Sequence, residues 1–401
     1  MTLTGAAEQL VYSPYDYAIH EDPYPTYARL RAEAPLYRNE QLGFWALSRH
    51  ADVLAAYKDT ERFSSALGVS LEPTATGPHA SKTMSFLAMD PPKHGRMRGI
   101  VSRAFTPRRV NDLEPHILEL TRAHLEPALD AGSFDFVADF AGKLPMDVMS
   151  EMLGVPQADR AEVRRLADLL VHREEGVYDV PRSGMEAAMV LARYFGEMIA
   201  ERRAQPRDDL TSALLEAEME GERLTDGDVM AVLFLMIVAG NETTAKLLAN
   251  ALFWAGENPS ERERAFSSES WIPAWIEETL RYDGSSQATA RTLTRDVELY
   301  DEMLPAGDRV LLLIGSANRD SHVFPNPDRY DLARDTSEMV SFGAARHFCL
   351  GAPLARLEAR VALTEIVQRI RSYEVDAARA RRVHSVNVRG FASLPITVVT
   401  R

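Results

Sequence analysis

The segment Thr225 to Glu257 constrains the fold more than any other. Thr225 is a capping residue with Asp228 three positions on, which approximates a capping box. Gly256 and Pro259 supply the stop. Roughly 30 residues lie between them, or ~45 Å of helix at 1.5 Å each. The first half, Val229 to Ala239, is apolar on every side, so the helix must run through the protein interior. Eleven apolar residues fall short of the ~20 that a bilayer crossing needs. Directly after them come Gly240-Asn241-Glu242-Thr243-Thr244, polar groups in a stretch that is still buried.

The surroundings fit such a helix. Helical periods dominate from Pro107 to Ala255, broken at Pro156, Pro181 and Pro206. Strand-like runs sit near both ends, at Gly43 to Leu47, Arg309 to Ile314 and Ile396 to Thr400. The spacing predicts a mainly α protein with small peripheral β-sheets, an α+β class. A single unit over residues 1–401 is the economical organisation, because strands from the two ends would need each other. At 46% hydrophobic residues the chain can bury a large core. Its net charge of -14 argues against a general nucleic-acid binder. Met1 to His20 has no basic region followed by an apolar run, so no leader is expected. A soluble, cytoplasmic monomer with no membrane contact is the expectation.

Three stretches carry chemistry. In the first, Gly240 weakens the helix by about 1 kcal/mol relative to alanine. Thr243 can turn its hydroxyl to the carbonyl of Ala239 and loosen the turn. With Glu242 beside it, an acid and an alcohol could relay protons. A tolerated glycine with Glu242 in a salt bridge accounts for these residues equally well. In the second, Glu278 and Arg281 lie three apart on one helix face and can pair. Apolar Ile272, Trp275, Ile276 and Leu280 would bury part of that helix, and Arg329 is a candidate further partner. An exposed ion pair is the simpler alternative. The third is Phe342-Gly343-Ala344-Ala345-Arg346-His347-Phe348-Cys349-Leu350-Gly351, which contains the one cysteine of the chain. A helical pattern follows from Leu354 to Ile370. Cys349 therefore sits at or just before a helix N-terminus, where free N–H groups favour a thiolate. Such a thiolate is a good ligand for heme iron. An inert buried cysteine and a catalytic thiol remain the alternatives.

Taken together, F-G-x-x-x-H-x-C-x-G, an upstream E-x-x-R helix and A-G-N-E-T-T on a long central helix resemble the bacterial cytochromes P450. Order and spacing match from Asp22-Pro23-Tyr24 to Arg389-Gly390-Phe391. The resemblance implies heme b (iron protoporphyrin IX) with Cys349 as its thiolate ligand. It implies Glu242 and Thr243 as the acid–alcohol pair that delivers protons to bound dioxygen. Glu278, Arg281 and Arg329 match a structural triad. His94, Arg98, Arg291 and His347 match the groups that meet the heme propionates, with Phe342, Gly343 and Ala239 also against the heme. The family loop usually has glycine where this chain has Ala345, which requires negative φ or some strain.

The resemblance further implies a monooxygenase that hydroxylates a hydrophobic small molecule: a steroid, fatty acid, terpenoid or macrolide. Phe86, Leu235, Val238, Ser286, Gln287, Thr289 and Phe391 would draw the pocket. Leu67 to Ser85 and Arg173 to Ser183 read as mobile loops over it. Electrons would come from a ferredoxin and its NAD(P)H-dependent ferredoxin reductase. Lys93, Arg96, Arg98, Arg103, Arg108 and Arg109, with Arg346, Arg356 and Arg360, suggest a basic docking face in an acidic protein. Competing expectations are a peroxide-driven peroxygenase on the same fold, a non-enzymatic heme-binding sensor, and a heme-free protein with Cys349 as nucleophile.

Overall fold

The computed structural model describes residues 9–401, without the side chain of Asn241. Part of the expected leaderless start, residues 1–8, and the Asn241 side chain lie outside the described residues. One helix, Asp226–Glu257, runs for 32 residues. Its entry is a reciprocal cap: Thr225 Oγ1 accepts from the Asp228 N–H, and Asp228 Oδ2 accepts from the Thr225 N–H, both at 3.1 Å. Val229, Val232, Leu233 and Ile237 are 0% exposed. This helix has the length and hydropathy to cross a membrane, yet 76% of its most apolar window is buried inside the protein. Helices Leu144–Leu153, Arg160–Val171, Arg182–Ala204, Ile272–Asp283 and Ala352–Arg369 pack around it. The last of these realises the helix expected after the cysteine loop.

The sheets join distant parts of the chain. The five-stranded sheet has the order Leu36–Asn39, Phe44–Leu47, Arg309–Leu313, Ala288–Leu293, Phe63–Ser64. Phe44 pairs with Arg309 in parallel, and Thr292 with Arg309 antiparallel. A three-stranded sheet joins Ile370–Val375 and Pro395–Thr400 to Ser133–Asp135. The second of these strands starts one residue before the one expected at Ile396.

The E-x-x-R pair is buried rather than exposed. Glu278 and Arg281 are each 1% exposed. Arg281 donates two bonds of 2.7 Å to the Glu278 carboxylate and others to the carbonyls of Asn318 and Pro327. Arg329 is not the third member. Its side chain is 66% exposed and reaches only Asp331, at 3.9 Å. Arg334 takes that place, with Nε 3.3 Å from Glu278 Oε1 and a side chain 8% exposed. The Arg329 position contributes its backbone carbonyl, which accepts from both Arg281 and Arg334.

The two stretches read as mobile loops are tied together. Leu67 to Ser85 contains helical turns at Pro73–Ala75 and Ser81–Met84. Arg173 Nε donates to Glu72 Oε1 at 2.7 Å, with both residues buried. Asp179 accepts from the Thr74 N–H at 3.0 Å and from its hydroxyl at 2.6 Å. One buried charge in each stretch anchors a sequence whose composition alone reads as a loop.

Candidate functional site

A cavity lies between the central helix, the strand Ala288–Leu293 and the cysteine loop. It holds about 1430 Å³ of space free of protein atoms, its mouth included. Its lining is mostly apolar with a few polar and cationic groups, the character expected of a small-molecule or cofactor site. Cys349 is exposed and lines this cavity. The loop is held by the Cys349 N–H, which donates to Phe342 O at 2.8 Å, and by the Gly343 N–H, which donates to Val340 O at 2.8 Å. Gly343 has φ +68°, a region that suits glycine. Ala345 also takes positive φ, 53°, so the strained alternative is the one adopted.

Burial pushes the Cys349 thiol upward, while hydrogen bonds from the Gly351 and Ala352 N–H groups and the charges of Arg98 and Arg356 pull it down. Those N–H groups belong to the entry of the helix Ala352–Arg369, where the helix dipole favours an anion. The net push is upward, so without a metal the group is a thiol; a soft sulfur donor lines the cavity with N–H groups behind it that would support an anion once it forms.

The groups beside it form a donor set for carboxylates. Arg98, Arg291 and His347 line the wall. His94 is not on the wall but stands behind His347, with ring centroids 4.2 Å apart. Nε2 of both histidines is buried and has no hydrogen-bond partner. Among the described residues, Arg98 and Arg291 have no carboxylate within ion-pair distance; they donate to carbonyls of Phe348 and Ala290 at 2.6 and 2.8 Å. Burial, then the positive charges of Arg98 and Arg346, lowers His94 to about 4. Burial, then Arg291, His94 and Arg98, lowers His347 to about 3. One buried and one half-buried guanidinium and two orphaned ring nitrogens collected beside a thiol fit the two propionates and the iron of heme b.

From the central helix, Leu235, Val238, Ala239 and Thr243 line the same cavity. The Thr243 hydroxyl donates to Ala239 O at 2.9 Å, as its sequence position predicts. The helix stays continuous through this turn. Phe342, Gly343, Phe86, Ser286 and Thr289 also line the cavity.

Three expected positions lie elsewhere. Glu242 does not accompany Thr243. It is buried on another side of the helix, 3.2 Å from Lys246, and lines a second cavity with Arg164 and Asp168. One residue turns a helical side chain by about 100°, so neighbours in sequence need not share a chamber. Burial and the shared proton with Glu242 raise Asp168 to about 8. Gln287 turns from the cavity to donate to Gly284 O at 2.8 Å. Phe391 packs on Phe253, ring centroids 4.7 Å apart, under the Arg382 guanidinium. The C-terminal stretch instead offers Asn387 and Val388. Val69, Met84, Leu87, Val171 and Ile314 are further apolar wall residues that the sequence does not single out. They carry no signal beyond hydrophobicity, which core residues share.

Comparison with known proteins defines the class. Residues 180–267 and 271–391 match the Cytochrome P450 family. The chain belongs to that family, whose members are heme b monooxygenases. It is 58% identical over 402 residues to cytochrome P450 123 of Mycobacterium tuberculosis, covering 100% of each chain. It is 35% identical over 409 residues to the vitamin D(3) 25-hydroxylase of Pseudonocardia autotrophica, covering 100% of this chain and 99% of that one. The solved testosterone complex of a cytochrome P450 from Bacillus megaterium superposes with TM-score 0.87 at 31% identity, over 95% of this chain and 99% of that one.

Proposed function

We propose that the chain hydroxylates a hydrophobic small molecule, with Cys349 as the axial heme ligand and a ferredoxin as electron donor. One oxygen atom enters the substrate and the other leaves as water, at the expense of two electrons and two protons. Heme supplies the iron at which dioxygen is activated. The arrangement that carries this reading is a thiol backed by helix N–H groups and the Thr243 hydroxyl lining one and the same cavity. Arg98, Arg291, His94 and His347 would neutralise the propionates through charge-assisted bonds. The Thr243 hydroxyl would hold a proton at the cavity, releasing the Ala239 carbonyl. The apolar wall excludes water and suits a steroid, terpenoid, macrolide or fatty acid.

For the electron donor, Lys93, Arg103, Arg108, Arg109 and Arg346 are exposed. They have no ion-pair partner among the described residues, whereas Arg96, Arg356 and Arg360 are neutralised by Glu220, Glu277 and Glu114. An acidic ferredoxin, reduced by an NAD(P)H-dependent reductase, complements the free charges. We read the location as cytoplasmic, the site of such donors, and the protein as a monomer.

The decisive test is Cys349→Ala. The long-wavelength Soret band of the ferrous carbonyl complex should vanish; its persistence refutes the ligand assignment. A peroxide-driven reading is kept by one observation: Glu242 faces Lys246, away from Thr243. Turnover with peroxide alone, at a rate matching reductase plus ferredoxin, would favour it.

A further inference from the structure

The cavity contains its own charge filter. Its two guanidinium groups, Arg98 and Arg291, cluster with His347 beside Cys349, and on the reading above the propionates consume them. The remaining wall is apolar apart from uncharged groups. Of these, Thr289 Oγ1 is engaged with the Arg291 guanidinium at 3.2 Å, and Thr243 with Ala239. Ser285, Ser286 and Asn387 are different. No hydrogen bond involves either serine hydroxyl among the described residues, and Asn387 uses only Oδ1, as acceptor from Ser385 at 3.3 Å. The Asn387 NH₂ is therefore free to donate. These three are brought together where Ser286 bridges Val388 and the Gln287 N–H meets Asn387 O at 2.9 Å. Along the chain Ser286 stands five positions from Arg291, up to ~16 Å at strand rise.

We infer that the distal site selects neutral substrates bearing a carbonyl or hydroxyl oxygen, held by Ser285, Ser286 and Asn387, and rejects carboxylates. This narrows the substrate class of the proposed monooxygenase site and rests on that reading. A substrate carboxylate would have to leave water for a wall with no cation of its own to receive it. Burying an unpaired charge is far more costly than burying an ester or ketone that meets a donor. Free fatty acids drop out of the candidate set, while oxygenated alicyclic molecules remain.

The test uses heme-loaded protein and the Soret shift on ligand binding. Methyl dodecanoate and dodecanoate share a chain and differ in charge. The ester should bind at least about ten-fold more tightly, the equivalent of ~1.4 kcal/mol. Testosterone should also shift the band. The double variant Ser286→Ala, Asn387→Ala should weaken testosterone about ten-fold, the loss expected for hydrogen bonds of ordinary strength, and leave the ester-to-acid ratio in favour of the ester. Dodecanoate binding as tightly as its ester overturns the inference, as does an unchanged testosterone affinity in the double variant or a failure of every neutral probe. The ferrous carbonyl band of the same sample separates these failures from failure of the heme-thiolate assignment.

Discussion

Truncating the arginines around Glu278 one at a time should give three distinct losses of stability. Arg281→Ala removes the bidentate partner of a carboxylate that is 1% exposed. Arg334 and the Asp331 N–H, at 3.3 and 2.9 Å, are left to hold it. Breaking a buried pair from one side costs about 3–5 kcal/mol. Arg334→Ala leaves the Arg281 bonds intact and loses one long contact to Glu278. It also frees the carbonyls of Pro325, Asn326 and Arg329, which Arg334 now meets at 2.5, 2.9 and 3.1 Å. Water can reach part of that site, so a loss of about 1.5–3 kcal/mol is expected. Arg329→Ala removes an exposed side chain and keeps the useful carbonyl, within about 0.5 kcal/mol of wild type. With unfolding entropy of ~2.1 cal/mol/K per residue, a chain this long changes by roughly 0.8 kcal/mol per degree. The Tm losses become about 4–6, 2–4 and under 1 °C, measured by circular dichroism on heme-loaded protein. An Arg329→Ala loss equal to that of Arg334→Ala refutes the assignment of the third member.

Other perturbations test separate features. Ala345→Gly should stabilise the protein: relief of a left-handed alanine at φ 53°, about 1–2 kcal/mol, exceeds the ~0.4–1 kcal/mol of added unfolded-state freedom. A lower urea midpoint would contradict this. Burial raises Glu358 to about 8, so the folded state keeps a proton that the unfolded chain gives up. The associated stability is complete below the usual carboxylate range and disappears as pH climbs through about 8. Glu358→Gln should therefore gain in Tm over wild type between about pH 5 and pH 8, and a constant difference would count against it. Thr243→Ala should keep heme and divert reductant into hydrogen peroxide; unchanged coupling of NAD(P)H to product speaks against its role. Arg173→Ala leaves Glu72 buried without its cation, costing about 3–5 kcal/mol. Stopped-flow ligand entry should be faster in that variant, and an unaltered rate would show the tie does not restrain access.

The long central helix and the loop before Ala352–Arg369 were legible because their signals are local: a cap, an apolar run, one cysteine, a helix start. The Thr243 bond to Ala239 is legible because it spans one helical turn. Glu242 was misplaced because side-chain direction depends on what packs outside the helix, here Lys246 and Asp168. Arg329 and Arg334 are interchangeable in composition, and only the turn at Asn326 to Asp331 decides which one points inward. Gln287 and Phe391 are one and three residues from true cavity positions, and contacts elsewhere turn them away: Gln287 donates to Gly284 O and Phe391 packs on Phe253. The Glu72–Arg173 pair joins two segments a hundred residues apart, for which a single sequence holds no sign.

The mixed sheet has a consequence for biosynthesis. All four residues of Phe44–Leu47 are buried, and Phe44 meets Arg309 only after 265 further residues have been made. At ~5–20 residues per second this is a delay of roughly 13–50 s. Throughout that interval a short apolar strand lacks its inner neighbour on the ribosome, with only the hairpin to Leu36–Asn39 for cover. Chaperone demand during synthesis should thus concentrate on the amino-terminal fifth of the chain, well before the heme loop emerges.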